Sequence, residues 1–178
     1  HLHDEGGEVK LNTNRMAVFG LMGALMYVAR QVMSALPNIH LTGVFIVVMT
    51  VVYRRQALYP LYIFVLMEGL FGGFNTWWLP YLYVWTVLWG AVMLLPRNMK
   101  PKKAAVVYAL VCACHGFLFG ILYAPAQALI FGLNWEGALA WIARGFPYDL
   151  IHGCSNLVCG IMIMPLIRVV QQMDKAIQ

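Results

Sequence analysis

Residues 145–165 read GFPYDLIHGCSNLVCGIMIMP, an apolar run that carries the polar side chains of Asp149, His152, Ser155 and Asn156. At about 100° of rotation per residue, positions 149, 152, 156 and 159 or 160 fall on one face of a helix. The polar side chains therefore form a stripe. A polar stripe on an otherwise apolar helix must face a polar or hydrated space.

The composition predicts an all-α integral membrane protein. Hydrophobic residues make up 62% of the 178 residues and charged residues 11%, and the mean hydropathy is +0.72. Soluble domains are about half apolar, so this chain lies well beyond their range. The length allows about six spans of about 20 residues. We expect a polar lead over residues 1–14, followed by a single six-helix transmembrane domain over residues 15–178.

Apolar runs separated by Pro, Gly and basic residues define the six predicted spans, which cover residues 15–35, 41–53, 57–72, 77–95, 104–133 and 145–170. Pro125 predicts a bend or break in the fifth span. Residues 134–145, NWEGALAWIARG, predict a separate amphipathic segment at the membrane interface.

The basic residues predict the orientation. Ten of the 12 Lys and Arg residues fall on the side of the amino terminus, namely Lys10, Arg15, Arg54, Arg55, Arg97, Lys100, Lys102, Lys103, Arg168 and Lys175. Because Lys and Arg are enriched in cytoplasmic loops, both termini are predicted to be cytoplasmic.

Ionisable side chains within the spans are predicted to share a depth in the outward-facing half of the membrane; they are Arg30, Glu68, His115, Asp149 and His152. Each costs at least about 2.5 to 3.5 kcal/mol to insert, so such groups normally line a cavity or pair with one another. One interpretation is a pocket open to the outside. The other is an ion pair of Arg30 with Glu68 or Asp149 that only holds the bundle together.

Aromatic residues at the outer boundary could cover such a pocket. The run of residues 74–81, FNTWWLPY, places Trp77 and Trp78 where they could form a lid on a planar solute, with Tyr83 nearby. An ordinary interfacial aromatic belt explains the same run.

No signature of catalysis stands out in the sequence. A phosphate-binding glycine loop ending in Gly-Lys-Ser or Gly-Lys-Thr is absent. Ser155 coexists with His115 and His152, but it lacks the following glycine of a G-x-S-x-G nucleophile turn. We therefore predict that the chain is not an enzyme. A proton-coupled carrier that uses Glu68 or Asp149 is an alternative, and an intramembrane hydrolase is a weaker one.

The cysteines do not predict a metal site. Cys112 and Cys114 are two residues apart on a predicted helix, so they point about 160° away from each other. Such a pair does not suit a shared metal ion. All four cysteines lie in apolar runs and are expected to act as small hydrophobic residues.

Two short motifs resemble the substrate-binding S components of energy-coupling factor (ECF) transporters. Residues 20–26, GLMGALM, resemble the Ala-x-x-x-Ala contact motif of that family, with Gly at position 20. Residues 145–156, GFPYDLIHGCSN, are similar to the form Gly-Ile-Pro-Phe-Asp-Leu-Ile-His-x-x-x-Asn of some members. Six short spans with both ends inside also fit the family.

The resemblance implies a subunit of the bacterial plasma membrane that takes up a water-soluble vitamin. An S component captures its solute from outside, docks on a transmembrane coupling subunit through its first helix, and topples to release the solute inside. Two partner ATPase subunits use ATP, and the S component needs no cofactor of its own. The resemblance assigns Gly20, Gly23 and Ala24 to the docking face.

The predicted solute contacts combine aromatic and polar side chains: Arg30, Glu68, Trp77, Trp78, Tyr83, His115, Asp149, His152 and Asn156. His115 and Asn156 match places from which some S components contact the solute. The set favours a small planar heterocycle, such as a hydroxymethylpyrimidine precursor of thiamine or pyridoxine. Arg30 leaves room for a carboxylate such as pantothenate or folate, provided that Glu68 and Asp149 do not neutralise it.

Overall fold

The computed structural model describes residues 10–178, which form helices and connecting turns and contain no strand. The helices are α1 (Thr13–Val32), α2 (Thr42–Tyr53), α3 (Leu58–Gly72), α4 (Val84–Met93), α5 (Pro101–Phe131), α6 (Trp135–Cys159) and α7 (Ile163–Ile177). Four helical segments are long and apolar enough to cross a membrane: Thr13–Ala35, Thr42–Gly72, Pro101–Phe131 and Trp135–Ile177. Leu79–Met93 is a shorter apolar segment. The chain is thus an all-helical protein suited to a membrane.

The first three helices alternate in direction. On α1 and α3, Phe19 stacks on Tyr59 with ring centroids 5.9 Å apart, and Tyr27 lies 5.2 Å from Phe71. The contact later in α1 is also the contact later in α3, so the two helices run parallel. The last residue of α2, Tyr53, lies 4.9 Å from Phe19, so α2 ends where α3 begins.

The chain reverses at a short 3₁₀ turn, Arg54–Ala57, between α2 and α3. Arg54 has a φ of +53°, a conformation that side chains rarely adopt. Its guanidinium donates to the carbonyl of Met93 at 2.9 Å, and its own carbonyl accepts from the Trp89 indole at 3.0 Å. These two bonds to α4 hold the strained residue in place.

Helices α2, α3 and α4 have 12, 15 and 10 residues, and only α4 is much shorter than its predicted span of residues 77–95. The 12 residues of α2 rise about 18 Å, whereas the hydrocarbon core of a bilayer is about 30 Å thick. Most of α2 is nevertheless buried among the other helices. Because α2 is surrounded mainly by other helices of the protein and not by lipid, it does not need to be long enough to match the thickness of the bilayer.

The second half of the chain is a pair of long helices, and it corrects two predictions. Pro125 lies inside α5, which continues for 31 residues, so the helix does not break there; the bend that Pro125 also predicts stays a prediction. Residues 134–145 do not form a separate interfacial segment, because α6 begins at Trp135 with Asn134 as its N-cap and runs through Pro147. The Asn134 side chain accepts from the backbone N–H of Gly137 at 2.8 Å, which favours helix initiation there.

Glycines bring α5 and α6 into backbone contact. A Cβ added to Gly116 would lie 2.9 Å from both the Cα and the N of Gly153, and one added to Gly160, directly after α6, would lie 3.0 Å from the Ala109 Cα. Small residues let helices approach closely where lipid supplies no hydrophobic drive. The GxxxG spacing of Gly116 and Gly120 thus marks a contact within this chain.

We expect Gly116→Ala to reduce the free energy of unfolding by about 1–3 kcal/mol, because the backbone of α6 cannot move aside for the new methyl group. The measurement is thermal unfolding of the purified protein in detergent. Gly145→Ala on α6 is the control, since no described atom lies within 4 Å of its added Cβ and alanine favours a helix. Equal stability of the two variants would contradict this packing.

Candidate functional site

Trp85 is the centre of a buried group of aromatic and histidine rings. It is completely buried at the start of α4. Its ring centroid lies 6.0 Å from His40, 5.5 Å from His115, 5.3 Å from Phe119 and 6.4 Å from His152. We call these five residues the Trp85 cluster. The turn before α2, α4, α5 and α6 each contribute to it, so it exists only in the folded bundle.

The histidines of the Trp85 cluster are suited to hydrogen bonding as neutral rings. His115 Nε2 lies 2.9 Å from the carbonyl oxygen of Val84 and must donate to it, which leaves Nδ1 as an acceptor in the neutral ring. His40 lies outside the membrane-spanning segments. Burial, and after it the positive charge of Arg30, lowers the pKa of His40 to about 4. His40 is therefore neutral near pH 7, with its ring 4.7 Å from that of His152.

Unpartnered polar atoms gather on these side chains and their neighbours. The buried atoms that find no hydrogen-bond partner among residues 10–178 include His40 Nδ1, Thr42 Oγ1, Glu68 Oε1, Trp85 Nε1, His115 Nδ1, His152 Nε2 and Asn156 Oδ1. A buried polar atom without a partner costs about 1–3 kcal/mol. Four of these atoms belong to the Trp85 cluster itself, on His40, Trp85, His115 and His152. So many in one cluster are unusual for a folded protein, and they need a water, an ion or a solute to satisfy them.

Arg30 and Glu68 form an ion pair at the border of the Trp85 cluster. Arg30 Nη1 lies 2.6 Å from Glu68 Oε2, and Arg30 Nη2 donates to the Tyr81 hydroxyl at 2.5 Å. The Tyr81 ring lies 5.9 Å from Trp85. Arg30 therefore pairs with Glu68 and not with Asp149, which resolves the choice that the sequence left open.

The polar side chains of α6 make two kinds of contact, one with helix α5 and the other with the Trp85 cluster. Asp149 Oδ2 accepts from the backbone N–H of Gly120 at 3.2 Å, and Asn156 Nδ2 donates to the Cys112 carbonyl at 2.9 Å. Both bonds attach α6 to α5, as expected for a polar latch between helices. His152 points instead into the Trp85 cluster, and Asn156 keeps its Oδ1 unpartnered.

The three predicted aromatic contacts lie around the Trp85 cluster and not within it. Trp78 donates through its indole to the Val65 carbonyl at 2.7 Å, and Tyr83 donates to the Leu122 carbonyl. The Trp77 carbonyl accepts from the Tyr123 hydroxyl at 2.7 Å. These bonds tie residues 77–83 to α3 and α5, so the polar ends of Trp78 and Tyr83 are already used.

The residues assigned to partner docking do not share one face. Gly20 is partly exposed, with no described atom within 4 Å of an added Cβ, and Ala24 is also partly exposed. Gly23 is buried against α3, where an added Cβ would lie 2.5 Å from Ile63 Cγ2 and 3.0 Å from the Pro60 carbonyl. Gly23 thus packs helix against helix inside the chain, while Gly20 and Ala24 face outward.

An apolar groove of about 500 Å³ lies along α6. It is lined by Ile39, Leu150, Ile151, Cys154, Ser155, Val158 and Cys159. Ser155 Oγ has no hydrogen-bond partner in the described chain, so it is not paired with His115 or His152 as a nucleophile with its base would be. Residues 10–178 hold no group of three or more His, Cys, Asp or Glu side chains arranged to bind a metal ion.

Sequence reasoning missed several members of this site. His40 lies in a short polar link and Trp85 among many apolar aromatics, so neither forms part of a pattern. Their roles arise from contacts between distant segments. Functional assignment rests on the Trp85 cluster and on two short motifs, because comparison of the chain with protein-family models, with curated proteins and with solved structures found no match.

Proposed function

We propose that this chain is the substrate-capturing membrane subunit of an ECF-type importer, and that it binds a water-soluble vitamin or vitamin precursor in the Trp85 cluster. The observation that carries the proposal is the four unpartnered polar atoms on the rings of the Trp85 cluster, whose tryptophan is fully buried. The likeness of residues 20–26 and 145–156 to S-component motifs adds to it. The first expected ligands are a hydroxymethylpyrimidine and pyridoxine.

The proposed direction of capture is supported by the positions of charged residues at the two ends of the bundle. Arg54 contacts Met93 at the end of α4, about 12 Å along the helix from Trp85 at its start. Arg15 and Asp174 form an ion pair at the same end as Arg54, beside Tyr53. Lys and Arg favour the cytoplasmic side, so we propose six spans with both termini in the cytoplasm and the Trp85 cluster in the outer half.

Delivery of the solute would need partners. We propose that the chain docks through Gly20 and Ala24 on a transmembrane coupling subunit, which two ATPase subunits drive with ATP in a bacterial plasma membrane. The exposed apolar side chains on this face of α1, Leu21, Leu25 and Val28, support a contact within the bilayer.

The test is a ligand screen of the detergent-purified chain against water-soluble vitamins and their precursors, read by thermal shift and by quenching of tryptophan fluorescence. We expect one tight, selective ligand. His152→Ala should weaken its binding about tenfold, because one buried hydrogen bond is lost. Ser155→Ala on the same helix is the matched control and should bind normally. Absence of any selective ligand, or equal binding by both variants, would refute the proposed site.

A further inference from the structure

Arg30 is the cation through which a carboxylate solute could be held, and each of its two terminal nitrogens already makes one hydrogen bond. Its two terminal nitrogens lie 2.6 Å from a Glu68 oxygen and 2.5 Å from the Tyr81 hydroxyl. Its guanidinium carbon also lies 5.3 Å from the centre of the Tyr81 ring, over the ring face. The positive charge is therefore paired and stacked before any solute arrives, and the pair has no net charge.

Of the seven unpartnered atoms named above, three can only accept a hydrogen bond, one can only donate, and those of His40, Thr42 and His152 can do either. Glu68 Oε1 and Asn156 Oδ1 can only accept, and His115 Nδ1 can only accept because Nε2 donates to Val84. Trp85 Nε1 can only donate. An anionic group placed here would meet a buried carboxylate oxygen with no free cation to balance it, and burial of an unpaired charge is costly. A ring that carries an amino or N–H donor would instead satisfy these acceptors.

We propose that the Trp85 cluster selects a neutral or protonated heteroaromatic ring bearing N–H donors, and that it rejects the carboxylate and phosphate forms of the same ring. The ion pair of Arg30 with Glu68 is the specificity element, because it removes the positive charge that an anion would need. This inference rests on the proposed function and narrows its substrate class. It excludes pantothenate, folate and biotin as ligands and favours an aminopyrimidine or a pyridine carboxamide.

Matched pairs of compounds test the charge preference. The probes are nicotinamide with nicotinate, pyridoxine with its phosphate ester, and the aminopyrimidine precursor of thiamine with its phosphate ester, each titrated by tryptophan quenching. We expect the neutral member of any pair that binds to bind about tenfold or more tightly than the anionic member. A carboxylate vitamin that binds more tightly than every neutral compound would overturn the inference.

Glu68→Gln tests the role of the ion pair itself. This variant leaves the Arg30 charge without a carboxylate, so the preference for the neutral member should shrink about tenfold or reverse. Glu136→Gln, at an exposed position in the first turn of α6, is the matched control and should keep the wild-type ratio. If Glu68→Gln does not fold, the wild-type ratios still decide the charge preference. An unchanged ratio in a folded Glu68→Gln protein would refute the specificity role, whereas failure of every vitamin and probe to bind would refute the proposed function.

Discussion

Trp85→Ala is expected to lower the free energy of unfolding by about 3–5 kcal/mol, the largest loss of stability that we expect from a single change in this chain. The side chain is completely buried and contacts rings from four other parts of the bundle. Removing it leaves a cavity that neighbours on separate helices cannot jointly fill. Chemical or thermal unfolding in detergent, followed by circular dichroism, measures the effect.

Two further variants separate packing from solute binding. Trp135→Ala is the control for stability, because Trp135 is 77% exposed and its loss should change unfolding little. Trp85→Phe retains much of the ring but removes the unpartnered indole N–H. Trp85→Phe should keep most of the wild-type stability but should bind the solute more weakly than the wild type does. Wild-type stability of Trp85→Ala would show that the cluster is not the packing centre described above.

Ala24→Trp is expected to abolish solute uptake while leaving solute binding unchanged. Ala24 and Gly20 lie on the outward face of α1, where a bulky side chain would prevent close approach of a coupling subunit without touching the Trp85 cluster. The measurements are uptake of labelled vitamin by cells that express the whole transporter, and the dissociation constant of the purified subunit.

Val106→Trp on α5 is the matched control for Ala24→Trp, since Val106 is 58% exposed on a different helix. We expect this variant to transport normally. Loss of solute binding in Ala24→Trp would place that face of α1 in the pocket. Normal uptake would mean that partners dock elsewhere.

The fold brings some of the predicted site residues together and keeps others apart. His115 and His152 do meet at Trp85, and Arg30 does pair with Glu68. Asp149 bonds instead to the backbone of α5. A polar residue on an apolar helix indicates from sequence only that its side chain needs a hydrogen-bonding or charged partner. Whether that partner is a backbone N–H, an opposite charge or a solute depends on the helix opposite.

The sequence by itself determined the membrane class and the helical content, because hydrophobicity and residue spacing along the chain are local quantities. It also determined where the chain turns at Arg54, where apolar residues give way to basic ones. Only the tertiary structure decided that His40 joins the Trp85 cluster and that Gly23 faces α3 while Ala24 faces outward. The physical reason is that packing against helices distant in the sequence fixes the rotation of each helix about its own axis. A change of a few tens of degrees in that rotation decides which side chains meet.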